Sequence, residues 1–128
     1  MNKHEWLRTS LCIVFLLIAI FLANKKCSAS DWTTGDTVRQ GIFTALDVMD
    51  WAQTRYGSTH GFTESNPILG SHPSLGRINT IFAIGLVGNA AVSWVLPKEY
   101  RPYFQYGSIA LEAYCVGHNA RIGVKFQW

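Results

Sequence analysis

Three side chains suited to binding or proton chemistry share one face of a predicted helix. Asp47, Asp50 and Thr54 are spaced by three and four residues, so a helix turns them to the same side. A carboxylate at membrane depth costs about 2.5–3.5 kcal/mol, so within a membrane these acids would need a partner or a water-filled cavity. The alternative is a helix that lies on the membrane surface with this face in water.

A second polar line predicts another buried acid. Ser108, Glu112, Cys115 and Asn119 recur at helical spacing, and Glu112 stands among apolar residues. Such an acid needs a partner or a proton, and a structural role in a buried pair is favoured over a catalytic role. The expected partners are Arg77, Asn89, His118 and Arg121.

The connection between the first two predicted helices contains two rigid corners. Asn66-Pro67 and His72-Pro73 each force extended or turn geometry on the residue before the proline. We expect Glu64 to accept hydrogen bonds from backbone amides or to pair with Arg55 or Arg77. The acids would then pin this loop onto a helical bundle.

Other kinds of site are disfavoured by the spacing of the polar residues. His, Asp and Glu show no metal-binding spacing such as H-x-x-x-H, and we expect no metal and no cofactor. There is no nucleophile elbow or phosphate-binding glycine loop, so the sequence assigns no enzyme activity. The net charge of +3 is spread along the chain, which disfavours nucleic-acid binding.

The hydrophobic pattern predicts an all-α fold, a small helical membrane bundle. Charged residues make up only 15% of the chain, against a usual quarter. Helices are predicted over residues 37–56, 75–96 and 102–117, with Ser74 as an N-cap. The uncharged segment from Ile78 to Leu96 has nineteen residues, enough to cross a bilayer. A buried helix of a soluble bundle is the less favoured alternative.

Small residues predict where the second and third helices meet. Gly85, Gly88, Asn89 and Ser93 form one face, and Gly107, Ala110, Ala113 and Gly117 form the other. Such faces let two backbones approach closely, and Asn89 has a polar amide for a neighbouring helix. They also predict association with a second copy or another envelope protein.

The first thirty residues are predicted to direct the chain to the cell envelope. A positive start, the apolar run from Leu11 to Ala23 and the small residues 28–30 are typical of a signal peptide. A retained signal anchor is the alternative, and residues 31–128 form a single helical domain in either case. Lys26 before Cys27 disfavours lipidation, and the cysteines are expected to be buried thiols rather than a disulfide or zinc site.

The tail from His118 to Trp128 is the only strand-like part. Apolar residues alternate in it and the chain ends on an aromatic residue, as in the last strand of an outer-membrane protein. An outer-membrane-associated protein is therefore kept as an alternative to the inner membrane. The favoured interpretation is an amphipathic tail at the membrane interface.

Together these motifs carry a resemblance. Asp50-x-x-x-Thr54, then Glu64-x-Asn66-Pro67, then an apolar helix, is similar to a family of small multi-pass membrane proteins of bacteria and phages, a domain of unknown function. The likeness covers about residues 44–123 and implies a compact helical membrane protein. We expect a structural or interaction role in the inner membrane, with phage lysis or superinfection exclusion as specific cases. The alternative is a membrane-embedded enzyme or small-ligand binder that uses Asp47, Asp50, Glu64 and Glu112.

Overall fold

The computed structural model describes residues 31–128, which form three helices. These are α1 (Thr34–Thr59), α2 (Leu75–Val95) and α3 (Arg101–Arg121). The predicted all-α fold with three helices is therefore confirmed. The predicted N-terminal signal or anchor, with Cys12 and Cys27, lies outside the described residues.

Helix α1 begins three residues earlier than predicted because of a reciprocal cap. The amide of Asp36 donates to Thr33 Oγ1 at 3.2 Å, and the amide of Thr33 donates to Asp36 Oδ2 at 2.8 Å. This capping box satisfies backbone donors that the first turn would otherwise leave unpaired. Helix α2 starts as predicted, since Ser74 Oγ accepts from the amide of Arg77 at 3.2 Å.

Helix α1 is the central element of the bundle. It packs extensively against α3 and less against α2, while α2 and α3 contact each other little. One amide joins all three helices: Gln40 Nε2 donates to Asn89 Oδ1 at 3.1 Å, and Asn89 Nδ2 donates to Ser108 Oγ at 2.9 Å. The predicted interhelical hydrogen bond of Asn89 is thus present.

The expectation that the glycine faces of α2 and α3 meet is wrong. A Cβ built on Gly85, Gly88, Gly107 or Gly117 has no atom of another element within 4 Å. The two helices are joined by the hydrogen bond between Asn89 and Ser108, and they contact each other little elsewhere. Each of them packs mainly against α1 instead, so the glycine faces are not brought together.

Polar residues fill the interior of the bundle and apolar residues cover its surface. Only five hydrophobic side chains are buried in the described part of the chain, against seven polar or charged ones. Outside, Val87 is 69% exposed and Leu111 is 62% exposed. Exposed apolar surface of this extent is more than a water-soluble domain usually shows. Helix α2 is long and apolar enough to cross a membrane.

The tail does not form a strand within residues 31–128. Helix α3 continues four residues beyond its predicted end, and Gly123 turns the chain with a φ of 88°. The tail then lies back on α1, where the amide of Gln127 donates to the carbonyl of Ala52 at 3.0 Å. The alternating pattern places Val124 inside rather than in a sheet.

Candidate functional site

A cavity of about 590 Å³ opens where α2 and α3 separate. Its walls come from all three helices, from the loop between α1 and α2, and from the start of the tail. The polar residues that line it are Asp47, Asp50, Gln53, Thr54, Ser58, Thr63, Glu64, Ser65, Asn66, Glu112, Cys115, His118 and Asn119. Volumes of this size are typical of small-molecule sites.

The polar face predicted on α1 lines this cavity. Asp47, Asp50 and Thr54 all contribute to its wall, and Asp47 and Thr54 are largely buried. Asn119 of α3 donates its Nδ2 to Asp50 Oδ1 at 2.7 Å, which fixes one oxygen of that carboxyl. The face is therefore turned into the bundle, and the surface-helix alternative does not describe it.

Glu112 of α3 faces the same cavity without a cation. Its Oε2 is buried and has no hydrogen-bond partner among the described residues. The predicted structural pairing is wrong, because the ion pairs of residues 31–128 join Asp36 with Arg39 and Arg101, and Asp31 with Lys98. A buried carboxyl left in this way is usually neutralised by a proton or a bound group.

Gln53 is a cavity residue that sequence reasoning missed. It is fully buried, and its Nε2 donates to the carbonyl of Val116 at 3.3 Å. Its Oε1 has no partner in the described part of the chain, although a buried amide oxygen normally accepts a hydrogen bond. Its place one turn before Gly57, on the face of α1 that carries Asp50, was the available signal.

The loop carries two predicted residues into the wall of the cavity. Glu64 Oε1 accepts from the amide of Asn66 at 2.7 Å, which confirms the predicted backbone contact. Neither predicted arginine pairs with Glu64: Arg77 donates to the carbonyl of Ile68 at 2.7 Å, and Arg55 donates to Asn79 Oδ1 at 3.0 Å. The two arginines donate to a backbone carbonyl and a side-chain amide instead, so Glu64 has no cationic partner among the described residues.

Several predicted residues lie apart from the cavity wall. Pro67, His72 and Arg77 are exposed and do not line it. Asn89 lies nearer the connection between α2 and α3, where it joins the three helices. His118 does line the cavity and stacks on Tyr114 with ring centroids 6.0 Å apart.

A second polar cluster holds the opposite end of the bundle. Arg101 is completely buried and donates to Asp36 Oδ2 at 3.1 Å, to the carbonyl of Ser93 at 2.8 Å and to that of Leu96 at 2.9 Å. Its guanidinium also lies 5.1 Å from the ring centroid of Trp32. The arginine thereby ties the start of α1 to the end of α2 and the start of α3.

Asp36 lies in the first turn of α1, at the level where α2 ends. Burial on its own would raise the pKa of this carboxyl. Hydrogen bonds from the backbone and hydroxyl of Thr33, from Arg39 and from Arg101 outweigh burial and lower the pKa to about 2. Asp36 is therefore an ionised structural anchor at the start of α1.

The two ends of the bundle differ in how their charges are balanced. At the Asp36 end, each buried charge has an opposite charge within hydrogen-bonding distance. At the cavity end, four carboxyl residues share one space and none of them belongs to an ion pair of the described residues. No three His, Cys, Asp or Glu side chains within residues 31–128 converge in the manner of a metal site.

Comparison with family models, curated proteins and solved structures finds no match for this chain. The resemblance to small bacterial and phage membrane proteins stays a prediction. The cavity and the exposed apolar surface are therefore the features that bear on function.

Proposed function

We propose that this chain is a small integral membrane protein of the bacterial cell envelope that binds a positively charged ligand in its acidic cavity. The observation that carries the proposal is that four carboxyl residues, Asp47, Asp50, Glu64 and Glu112, line one cavity and that none of them has a cationic partner among the described residues. A cation there would offset the cost of burying carboxylates, which increases as water is excluded.

The outer surface of the bundle supports the membrane part of the proposal. Helix α2 is apolar along its length, and Ile84 and Val87 are more than three-fifths exposed. A lipid bilayer would cover this surface, with Trp94 near one end at the height of the lipid head groups. Helix α1 packs against both α2 and α3, so the three helices would cross the membrane together.

Membrane insertion is tested by washing membranes with alkaline carbonate. An integral protein stays in the membrane pellet, whereas a peripheral or soluble one is released. Recovery of the chain in the wash would contradict the bilayer assignment.

Cation binding is tested by thermal unfolding of the purified protein in a neutral maltoside detergent. The additives are chloride salts of potassium, calcium, magnesium and phenethylammonium, and sodium salts of acetate and phosphate, all at one ionic strength. We expect at least one of these cations to raise the melting temperature of the wild type. Asp50→Asn removes a cavity charge and should weaken that rise, and the anions should have no such effect.

Equal responses of the wild type and Asp50→Asn to every cation would contradict the proposal. The matched control is Glu99→Gln, which removes an exposed carboxyl between α2 and α3. It should leave the response to cations unchanged. The interaction role, and with it phage lysis or superinfection exclusion, stays a prediction from the sequence.

A further inference from the structure

The cavity has the chemistry of a site for an amphiphilic amine. We propose, resting on the cation-binding function above, that its ligand is a primary ammonium group attached to an apolar body. The unpartnered acceptors of the lining residues, the apolar residues of the same wall and the size of the cavity each support this class of ligand.

Two buried polar atoms of the cavity-lining residues have no hydrogen-bond partner among residues 31–128, and both are acceptors. Gln53 Oε1 is the independent sign of a missing donor, because its residue is fully buried and this oxygen has no partner among residues 31–128. Glu112 Oε2 is buried and open in the same way. The amide of Asn119, by contrast, is already used by Asp50. An ammonium group carries three donors and one positive charge, so it would supply both the hydrogen bonds and the opposite charge that these residues lack.

The rest of the wall is apolar and in part aromatic. Leu69, Ile81 and Leu111 line the cavity together with the rings of Phe62, Phe82 and Tyr114. Aromatic faces attract organic cations, and the aliphatic side chains would cover a hydrocarbon body. The volume of about 590 Å³ accommodates such a body, whereas a single inorganic ion would leave most of it to water.

A primary ammonium group attached to an apolar body can come from two sources in a cell envelope. The ligand is either a free amine with an aryl or alkyl group, or the ethanolamine head group of a membrane lipid. Both present a primary ammonium next to an apolar body. The experiment has separate arms for the two sources.

The experiment is calorimetric titration of the purified protein in dodecyl maltoside with phenethylammonium chloride. The neutral 2-phenylethanol shows whether binding requires the positive charge of the ligand. The analogue N,N,N-trimethylphenethylammonium keeps the charge and shows whether binding requires its N–H donors. Calcium and potassium chloride test inorganic cations. In a second arm, the melting temperature is compared in nanodiscs of phosphatidylcholine with and without phosphatidylethanolamine.

We expect phenethylammonium to bind, the trimethyl analogue to bind about tenfold more weakly and the alcohol not to bind measurably. Glu112→Gln keeps the shape of the side chain and should weaken binding of the amine at least about tenfold, while Glu99→Gln should not. A rise in melting temperature of about 5 °C with phosphatidylethanolamine identifies the lipid as the source. Without that rise, binding of phenethylammonium identifies the free amine.

Two further outcomes overturn the inference and differ in what they say of the proposed function. Binding of calcium or potassium without binding of the amine would contradict the amine ligand and leave the proposed cation site standing. Binding of the alcohol as tightly as the amine, or of no ligand in either arm, would contradict both the amine ligand and the proposed cation site. Loss of folding in Glu112→Gln is excluded by a cooperative melting transition, and Asp47→Asn serves as a second variant of the same wall.

Discussion

The guanidinium of Arg101 donates to Asp36 Oδ2 at 3.1 Å across 65 residues of sequence, and both side chains are buried. This pair closes the bundle at the end where α2 and α3 are joined. At the other end the same helices separate around the acidic cavity. The molecule thus has one end in which charge is balanced and one in which it is not.

Removing the Arg101 side chain should destabilise the fold strongly. Arg101→Met leaves the Asp36 carboxylate buried and partly unpaired, and breaking such a pair costs about 3–5 kcal/mol. Lys98→Met is the matched control, since Lys98 lies on the surface 4.0 Å from Asp31 and should change stability by less than about 0.5 kcal/mol. The measurement is denaturant unfolding in detergent. Equal stability of the two variants would show that the buried pair of Arg101 and Asp36 does not stabilise the fold.

Acid should weaken the same end of the bundle. The pKa of Asp36 is about 2 in the folded protein, against 3.8 for the free side chain. The unfolded chain therefore binds the proton more readily, so the stability that Asp36 contributes is complete above about pH 4 and is lost as the pH falls towards 2. We expect the difference in melting temperature between the wild type and Asp36→Asn to shrink over that range. A constant difference from pH 6 to pH 2 would contradict the assignment.

The helices were predictable from sequence because their signals are local. Ser74 caps α2, and the prolines and polar loop residues mark where helices stop. The polar face of α1 was also predictable, because Asp47, Asp50 and Thr54 follow helical spacing. Which helices approach each other was not, since the glycine pattern of α2 and α3 fits a close contact between them, whereas both helices pack mainly against α1.

The partners of the charged residues could not be predicted from the sequence either. Arg101 joins Asp36 because α1 folds across the connection of α2 and α3, and no sequence spacing encodes this approach. Four residues were predicted as possible partners of Glu112, yet its Oε2 has no hydrogen-bond partner within the described chain. Gln53 lies three residues after Asp50 and so on the same face of α1, but helical spacing does not show that its Oε1 would have no partner.

Glycine positions give a direct test of the corrected packing. Gly57 is buried with the position of its Cβ 3.5 Å from Phe62 Cβ, whereas Gly88 faces open space. Gly57→Leu should therefore cost about 1–3 kcal/mol as overpacking does, and Gly88→Leu should cost less. Urea unfolding of both variants in detergent measures the difference. A larger loss for Gly88→Leu would mean that the faces of α2 and α3 meet after all.

Neutralising a cavity acid should stabilise the protein when no ligand is bound. Glu112→Gln removes one of several neighbouring negative charges and keeps the side-chain volume. We expect its melting temperature in ligand-free detergent to exceed that of the wild type, the usual relation between a binding site and stability. Glu99→Gln is the exposed control. A lower melting temperature for Glu112→Gln would indicate a structural role for the Glu112 carboxylate.

The most direct test of the cavity asks which carboxyls a bound amine touches. A hydrophobic carbodiimide activates carboxyl groups and joins a neighbouring primary amine to them as an amide, and the water lost converts the carbodiimide to its urea. After brief treatment with phenethylamine, peptide mass spectrometry locates the amide. We expect labelling of Asp47, Asp50 or Glu112 well above that of the exposed Glu99. An excess of phenethylammonium analogues that cannot react should suppress this labelling. Labelling of Glu99 alone, or equal labelling of all four, would contradict the proposed amine site.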